Sequence, residues 1–232
     1  MSKMSFKRQV GVYQEIWEKN SVLVKEGKLE PRRKSFIWDG RDWIDSNNPP
    51  FLAAVFKIPS ALWEIIQLIQ ADLERTDSRQ RYHHPNHFHV TLEEYGWEDK
   101  IDLQKMLKVM RKILSNYSAF KIELRGLNLF PRTVFIQVFD ETQTLFNIYS
   151  DIHREFPNLE EDPFEYVPHI SIADIMTNEA CNLAALIESK YREKEIGQID
   201  VDEIHIVRAR PYLTVGRIET IETIKLKYTG DL

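Results

Sequence analysis

The 232-residue sequence predicts an α+β fold built from two similar halves. Two short strings, HVTL at 89–92 and HISI at 169–172, share the order histidine, aliphatic, hydroxyl residue, aliphatic. Each string lies in a stretch with the composition of a strand, and helical patterns precede and follow it. The strings begin 80 residues apart, about half the length of the main domain, and this spacing suits an ancient duplication.

The first 50 residues are expected to form an extension that packs on a main domain, residues 51–232. Residues 8–26 predict an amphipathic helix, because apolar side chains recur at helical spacing at Val10, Tyr13, Ile16 and Trp17. Residues 27–50 are rich in turn formers and predict an irregular segment.

Two placements of this extension remain open. It contains too many apolar residues to float free, because disordered segments are poor in them. The basic run Arg32–Lys34 and the aromatic residues after it would suit a flap beside a substrate site. The alternative is a cover for a sheet face or edge away from that site.

The main domain alternates strand and helix patterns. Helical spacing predicts helices over 60–74, 101–116, 142–155 and 179–192, with Ser60 as a candidate N-cap and Glu64 nearby. Residues 77–86 read as a polar loop. Strand patterns are found at 51–58, in the two motif strands, and at 120–130, 133–139, 198–209 and 221–228.

The two strings carry the chemistry. In a strand, residues i and i+2 share a face, so each string places an imidazole beside a hydroxyl and turns its aliphatic residues into a core. Two such strands facing one another would offer two imidazoles and two hydroxyls to one small anionic group. His89 and His169 are therefore the candidate catalytic residues, and Thr91 and Ser171 the candidate phosphate-binding residues.

Acid–base cleavage of a phosphate ester needs two proton transfers on opposite sides of phosphorus. One imidazole can take a proton from water while the other gives one to the leaving oxygen, because imidazole titrates near neutral pH. The hydroxyls can stabilise the charge that builds on the non-bridging oxygens. This scheme needs no metal or other cofactor, and it leaves open which histidine is the acid.

The chain resembles the 2H phosphoesterase superfamily, and within it the bacterial and archaeal RNA 2′,5′-ligase and cyclic phosphodiesterase branch. The matching text is HFHVTLEEYG, YVPHISIAD and FKIELRGLNLFPRTVFIQV, the last resembling a strand pair joined by a Phe-Pro turn. The resemblance covers roughly residues 51–228, and Ser171 stands where many relatives have threonine. It implies two pseudo-symmetric lobes whose antiparallel sheets flank a central cleft, with helices on the outer faces.

The resemblance also implies an activity. It indicates a metal-independent phosphodiesterase for 2′,3′-cyclic phosphate or 2′,5′-linked nucleotides and RNA ends, with RNA 2′,5′-ligase activity as a further option. A nucleotide- or RNA-binding module with little turnover is the alternative, and a scaffold for protein contacts around Trp17, Trp38 and Trp43 is a third. Both imidazoles and both hydroxyls are present, which favours the enzyme.

Two further residues are candidates for substrate binding. Tyr166, three positions before His169, could stack on a base or bond phosphate, or it could be a half-buried strand tyrosine. Arg132 follows the Phe-Pro turn, and the resemblance places an arginine near this position at the border of the cleft. The alternative for Arg132 is a solvated turn residue.

For the remaining histidines, structural or surface positions are favoured over a metal site. His83, His84, His87 and His89 could suggest zinc, but the sequence lacks accompanying cysteines, and His87 and His89 would alternate on one strand face. A metal site is therefore not expected. His153 is expected on a helix surface. His205 shares a strand face with Glu203 and Val207 and is expected either to face solvent, which we favour, or to line a cleft.

The net charge, the cysteine count and the distribution of apolar residues limit the partners and the location that the protein can have. A net charge of −5 argues against a general nucleic-acid coat protein, although a local basic patch would serve one nucleotide or RNA end. The single Cys181 excludes an internal disulfide framework. No apolar leader or membrane-spanning run is visible, so we expect a cytoplasmic monomer with no obligate protein partner.

Overall fold

A computed structural model describes residues 5–29, 37–38, 43–44, 50–157, 159, 166–209 and 218–228. Its helices are α1 (Phe6–Lys25), α2 (Trp63–Thr76), α3 (Leu103–Leu114), α4 (Thr144–Glu155) and α5 (Cys181–Leu186). Its strands are β1 (Ile37–Trp38), β2 (Trp43–Ile44), β3 (Phe51–Lys57), β4 (Arg81–Tyr82), β5 (His89–Trp97), β6 (Phe120–Phe130), β7 (Thr133–Phe139), β8 (His169–Asp174), β9 (Glu195–Val201), β10 (Glu203–Ala209) and β11 (Ile218–Lys225).

Two antiparallel sheets dominate the structure. The four-stranded sheet has the order β11-β10-β3-β5, and the five-stranded sheet has the order β4-β8-β7-β6-β9. Strands β1 and β2 form a separate two-stranded pair. The predicted α+β fold with two antiparallel sheets is confirmed.

Each large sheet has an outer face, which packs in the main core, and an inner face, which carries the motif side chains. On β7, Val134, Ile136 and Val138 join the main core, whereas Phe135 and Phe139 lie on the inner face in a separate cluster. On β3, the same alternation sends Leu52, Ala54 and Phe56 outward and Ala53 and Val55 inward. This period of two follows directly from strand geometry.

The helices on the outer faces come from both halves of the chain. Helices α2 and α5 contact each other, and α2 packs on β8 of the five-stranded sheet. Helices α3 and α4 likewise contact each other, with α4 on β5 and α3 on β11 of the four-stranded sheet. Apolar residues at helical spacing, such as Met106, Met110 and Leu114 of α3, turn toward the core.

The first helix, α1, takes a different position. Its N-terminus is capped by the Ser5 hydroxyl, which accepts a hydrogen bond from the Arg8 amide. Tyr13 packs against Phe135 and Phe139, so the first half of α1 lies on the inner face of the five-stranded sheet. The helix therefore covers a sheet face, and the same face carries His169.

Several local predictions were wrong. Ser60 does not cap a helix, because a 3-10 turn, Ser60–Leu62, precedes α2. The predicted strand 198–209 is two strands in different sheets, separated by Asp202. The expected polar loop 77–86 includes β4, which pairs with β8.

The basic run Arg32–Lys34, which was expected to suit a flap, lies outside the described residues. Val10, expected on the packed side of the first helix, is 41% exposed. Within the described part of the chain, no helix is long and apolar enough to cross a membrane.

Candidate active site

The two motif strands occupy matching positions in their sheets. On β5, His89 pairs with Lys57 and Thr91 pairs with Val55 of β3. On β8, His169 pairs with Gln137 and Ser171 pairs with Phe135 of β7. In both strands the histidine and hydroxyl residues are half-buried, and the aliphatic residue between them is buried. The register therefore repeats around both motifs, as a duplicated unit would.

Strands β5 and β8 contact each other across the junction of the two sheets. This brings both motif histidines into one cleft, near enough that the charge of His169 helps to lower the pKa of His89. The structure therefore brings His89 and His169 near each other, and the register places Thr91 and Ser171 on the same strand faces as these histidines.

Backbone carbonyl groups orient both imidazoles. Nδ1 of His89 lies 2.6 Å from the carbonyl oxygen of His87, and Nδ1 of His169 lies 2.8 Å from that of Val167. A carbonyl oxygen can only accept, so each Nδ1 carries a hydrogen and donates it. Each neutral ring therefore keeps Nε2 as a free acceptor, the state that a general base needs.

The cleft also favours neutral imidazoles. Burial lowers the pKa of His89 to about 4, opposed by the hydrogen bond to His87 and assisted by nearby positive charges that include Lys57. Burial likewise lowers the pKa of His169, and its bond to Val167 opposes the shift. A bound phosphate group would raise both pKa values again in part, because a negative charge stabilises the imidazolium form.

The motif hydroxyls are available for a ligand. Within the described part of the chain, neither the Thr91 nor the Ser171 hydroxyl forms a hydrogen bond with protein atoms. Both lie on the face shared with their motif histidine, two residues along the same strand. They can therefore donate to an anionic oxygen held between the two strands.

Two reciprocal hydrogen bonds fix the motif backbones. The Tyr166 hydroxyl, which leads into the second motif, donates to the Thr91 carbonyl oxygen of the first motif at 3.0 Å. Nδ1 of His83, which leads into the first motif, donates to the Ser171 carbonyl oxygen of the second motif at 3.1 Å. Sequence reasoning did not identify this role of His83, because a polar loop gives no sign of its partner.

Tyr166 contacts other protein groups through both its hydroxyl and its ring. Besides the bond to Thr91, its ring stacks on Tyr149 with 4.5 Å between centroids and 13° between planes. Burial raises its pKa well above the ordinary range, so the phenol keeps its proton and remains a donor. Tyr166 is half-buried and lies just before β8, not in it.

Arg132 lies away from the two histidines. Its guanidinium group donates to the Ile175 carbonyl oxygen at 3.3 Å and to the Asn178 side chain at 3.1 Å. Both partners follow the C-terminal end of β8, whereas His169 begins that strand. The structure therefore does not bring Arg132 together with the motif side chains.

An aromatic wall stands beside His169, formed by Phe130, Phe135 and Tyr13. Phe130 and Phe135 stack with 4.3 Å between centroids, and both rings meet His169 edge-on at 5.0 and 5.3 Å. Tyr13 lies behind Phe135 at 6.4 Å. Sequence reasoning missed these residues, since it had no register to show which side of β7 faces the site.

The histidines at 83–89 lie near one another, with 6.2 Å between the ring centroids of His84 and His87, but each has different surroundings. His83 bonds the second motif, the exposed His84 accepts from the Asn86 amide, and His87 is 3% exposed within a 3-10 turn. His87 therefore does not share a strand face with His89, contrary to expectation. Among the described residues, no group of three or more His, Cys, Asp or Glu side chains could hold a metal ion.

His153 was expected on a surface, but its side chain is only 9% exposed, with Nε2 2.5 Å from Oε2 of Glu93. For His205 the sequence left a solvent-facing and a cleft-lining position open and favoured the first. His205 is 8% exposed and pairs with Val55, so it lies on the inner face of the four-stranded sheet. The favoured solvent-facing position is therefore wrong.

The family assignment follows from the central part of the chain. Residues 58–213, which contain both motifs, match the family model described as the 2'-5' RNA ligase superfamily. The chain belongs to this superfamily. The matched range excludes α1, so the helix that contacts the inner face beside His169 lies outside the shared part.

Individual relatives agree with this assignment. The chain is 24% identical over 157 residues to the RNA 2',3'-cyclic phosphodiesterase of Methanothermobacter thermautotrophicus, covering 66% of this chain and 85% of that protein. It is 26% identical over 145 residues to the protein of the same name from Aquifex aeolicus, covering 59% and 76%.

Solved structures share the fold. The protein TT0787 of Thermus thermophilus superposes with a TM-score of 0.62 at 17% identity, covering 77% of this chain and 99% of that one. The E. coli LigT complex with 3'-AMP superposes with a TM-score of 0.59 at 14% identity and the same coverage.

Proposed function

We propose that this protein is a phosphodiesterase that opens 2′,3′-cyclic phosphate ends, or cleaves 2′,5′ linkages, of nucleotides or RNA. The two curated relatives carry the name of this activity. The observation that supports it most directly is the pairing of two imidazoles, each with Nδ1 held by a backbone carbonyl oxygen and with Nε2 lacking a hydrogen-bond partner among the described residues.

The proposed mechanism divides the work between four side chains. The phosphate group lies between β5 and β8, where the Thr91 and Ser171 hydroxyls donate to its non-bridging oxygens. One of His89 and His169 removes a proton from the attacking water, and the other protonates the leaving ribose oxygen. If the 5′-hydroxyl of a second RNA end takes the place of water, one imidazole removes its proton and the other protonates the leaving 3′ oxygen, which would join the two ends through a 2′,5′ linkage.

Neither hydroxyl needs to act as a nucleophile in this mechanism. Both imidazoles are neutral in the free protein near pH 7, so one of them must gain a proton on or before substrate binding. The negative charge of the phosphate favours that protonation. We further propose that the protein acts as a monomer on a nucleotide or RNA end.

A substrate panel tests the proposal. The purified protein is incubated, with and without EDTA, with nucleoside 2′,3′-cyclic phosphates, 2′,5′-linked dinucleotides and RNA that carries a cyclic phosphate end. We expect turnover of at least one class and retention of that activity in EDTA. Binding of nucleotides without turnover would instead support the binding-module alternative, and loss in EDTA with recovery in zinc would contradict the mechanism.

A further inference from the structure

Each motif strand has the register shift of a β-bulge directly after its hydroxyl residue. On β5 the extra residue is Leu92, because Thr91 and Glu93 pair with adjacent residues of β3. On β8 the extra residue is Ile172, which follows Ser171, and the register with β7 shifts in the same way. A bulge disrupts the ladder locally and re-aims a side chain. The direction of each motif hydroxyl therefore depends on what holds its bulge.

Both bulges are held by a side chain that belongs to the other motif. The Thr91 carbonyl oxygen accepts a hydrogen bond from the hydroxyl of Tyr166, in the segment before β8. The Ser171 carbonyl oxygen accepts one from Nδ1 of His83, in the segment before β5. Each carbonyl belongs to the peptide group that enters the bulge. Each donor thus fixes the backbone that aims the hydroxyl of the opposite motif.

His83 has further contacts with the strand that it holds. Its backbone amide donates to the Ile172 carbonyl oxygen at 2.9 Å, and its Nε2 lies 3.4 Å from Oδ2 of Asp174 at the end of β8. The buried amide of Gln70 donates at 2.8 Å to the carbonyl oxygens of both His83 and Ile172. His83 is therefore tied to β8 through its backbone and both ring nitrogens, although along the chain it leads into β5.

Tyr166 reaches β5 in a corresponding way. Its ring stacks on the ring of Tyr149, which lies 4.4 Å from the ring of His153 between centroids. Nε2 of His153 lies 2.5 Å from Oε2 of Glu93, the first residue after the bulge of β5. A chain of contacts thus runs from Tyr166 back to the strand whose Thr91 carbonyl oxygen it bonds.

We propose that Tyr166 and His83 are crossed positioning residues, each of which aims the phosphate-binding hydroxyl of the opposite motif by holding its bulge. Tyr166 acts through Thr91, and His83 acts through Ser171. This inference rests on the proposed function, since it takes the two hydroxyls as donors to the substrate phosphate. In this role neither positioning residue needs to touch the substrate, and each motif is complete only when the other is in place.

Double-mutant cycles on a nucleoside 2′,3′-cyclic phosphate test the crossed arrangement. Tyr166→Phe removes only the hydroxyl, and we expect kcat to fall about ten-fold with a smaller change in KM, because small displacements of a positioned group are costly. In a Thr91→Val background the same change should cost less than about two-fold, because the hydroxyl on which it acts is gone. In a Ser171→Ala background the full loss should remain.

The cycle for His83 should give the opposite pattern. His83→Leu should lower kcat about ten-fold in the wild type and in the Thr91→Val background, but less than about two-fold in the Ser171→Ala background. His83→Asn keeps an N–H donor near the position of Nδ1 and should recover most of the activity. Tyr117→Phe is the matched control, because it removes a hydrogen bond of 2.8 Å to Asp151 of α4. It should match wild type.

Equal losses in the two backgrounds would indicate a general structural effect and overturn the inference. Coupling of each residue to the hydroxyl of its own motif would overturn it as well. Urea unfolding identifies any variant that does not fold. If His83→Leu is such a variant, the cycle with Tyr166→Phe decides alone.

Failure of the proposed function is distinguishable from failure of this inference. If the wild type turns over no substrate, the proposed function is wrong, and the same cycles are measured on the affinity for a nucleoside 3′-monophosphate by calorimetry. The crossed pattern in affinity would support the positioning roles, and additive losses would contradict them. A wild-type protein that neither turns over the substrate nor binds the monophosphate would overturn both.

Discussion

The Tyr13 hydroxyl lies 2.5 Å from the carbonyl oxygen of Pro168, the residue that immediately precedes His169. The same hydroxyl lies 2.8 Å from the Val138 carbonyl oxygen and accepts a hydrogen bond from the Val138 amide at 3.1 Å. Burial raises the pKa of Tyr13 far above its ordinary range, so the phenol stays protonated. A helix outside the matched family range thus holds the backbone at the second motif.

The first prediction concerns this contact. Tyr13→Phe should destabilise the fold by about 1–3 kcal/mol, because buried backbone groups lose their partner. It should also lower kcat, since the segment that orients His169 becomes less constrained. Urea unfolding and steady-state kinetics measure the two effects. Tyr228→Phe, at an exposed tyrosine, is the control, and unchanged stability in Tyr13→Phe would refute the role.

The second prediction concerns the histidines. His89→Ala and His169→Ala should each reduce turnover by about 100-fold or more, the usual scale of general acid–base catalysis. Each imidazole has a separate proton to transfer, so neither can replace the other. Affinity for a product nucleotide should fall less than turnover. Near-wild-type turnover in either variant would show that the paired mechanism is incorrect.

The third prediction concerns the hydroxyls. Thr91→Val and Ser171→Ala each remove one donor to the developing phosphate charge, and we expect losses in kcat of roughly 10- to 1,000-fold. Thr91→Ser and Ser171→Thr keep the hydroxyl and serve as matched controls that should retain most activity. If all four variants turned over at the wild-type rate, backbone amides would have to hold the phosphate instead.

The fourth prediction concerns pH. The pKa of His89 is lowered to about 4 and that of His169 is also lowered. The base must be neutral and the acid protonated, so kcat/KM should fall at both ends and reach its maximum below pH 6.5, about the ordinary pKa of histidine. Bound phosphate should raise the pKa of both histidines, so the maximum of kcat should lie at a higher pH than the maximum of kcat/KM. A kcat/KM maximum above about pH 8 would contradict the desolvated cleft.

The fifth prediction concerns the N-terminal segment. Deletion of residues 1–48 uncovers Phe135 and Phe139 and removes the bond to Pro168, so activity on mononucleotide and oligonucleotide substrates should fall together. Solubility should fall as well, because apolar rings become exposed. Activity assays on both substrates and light scattering measure these changes. A soluble protein that loses activity on oligonucleotides alone would favour the flap interpretation.

Local patterns predicted most elements of the main domain. The alternation of apolar residues located β3, β6 and β7, and the helical spacing of residues such as Met106 and Met110 located α3. The two motif strings identified four side chains that the fold brings into one cleft. These features depend on neighbours within a few residues, and such neighbours are visible in a sequence.

The remaining errors concern contacts between distant segments. Asp202 separates two alternating apolar runs that look like one strand, and no local signal shows that β9 and β10 join different sheets. His153 was assigned to a helix surface, but its partner Glu93 belongs to the distant strand β5. His205 was favoured for a solvent-facing position, and only the sheet register places it on an inner face. The aromatic wall around His169 depends on the register between β7 and β8 and on α1, which only the folded structure specifies.

Each half of the chain contributes a helix to the sheet of the other half, and this arrangement has a consequence for folding. Helix α2 follows a strand of the four-stranded sheet but packs on the five-stranded one, and α4 makes the opposite crossing. Strand β10, near the C-terminus, completes the sheet that β3 begins. Neither half of the chain can therefore bury its apolar residues alone. We expect the two lobes to unfold in one cooperative transition, and pairing of such distant segments should make folding slow.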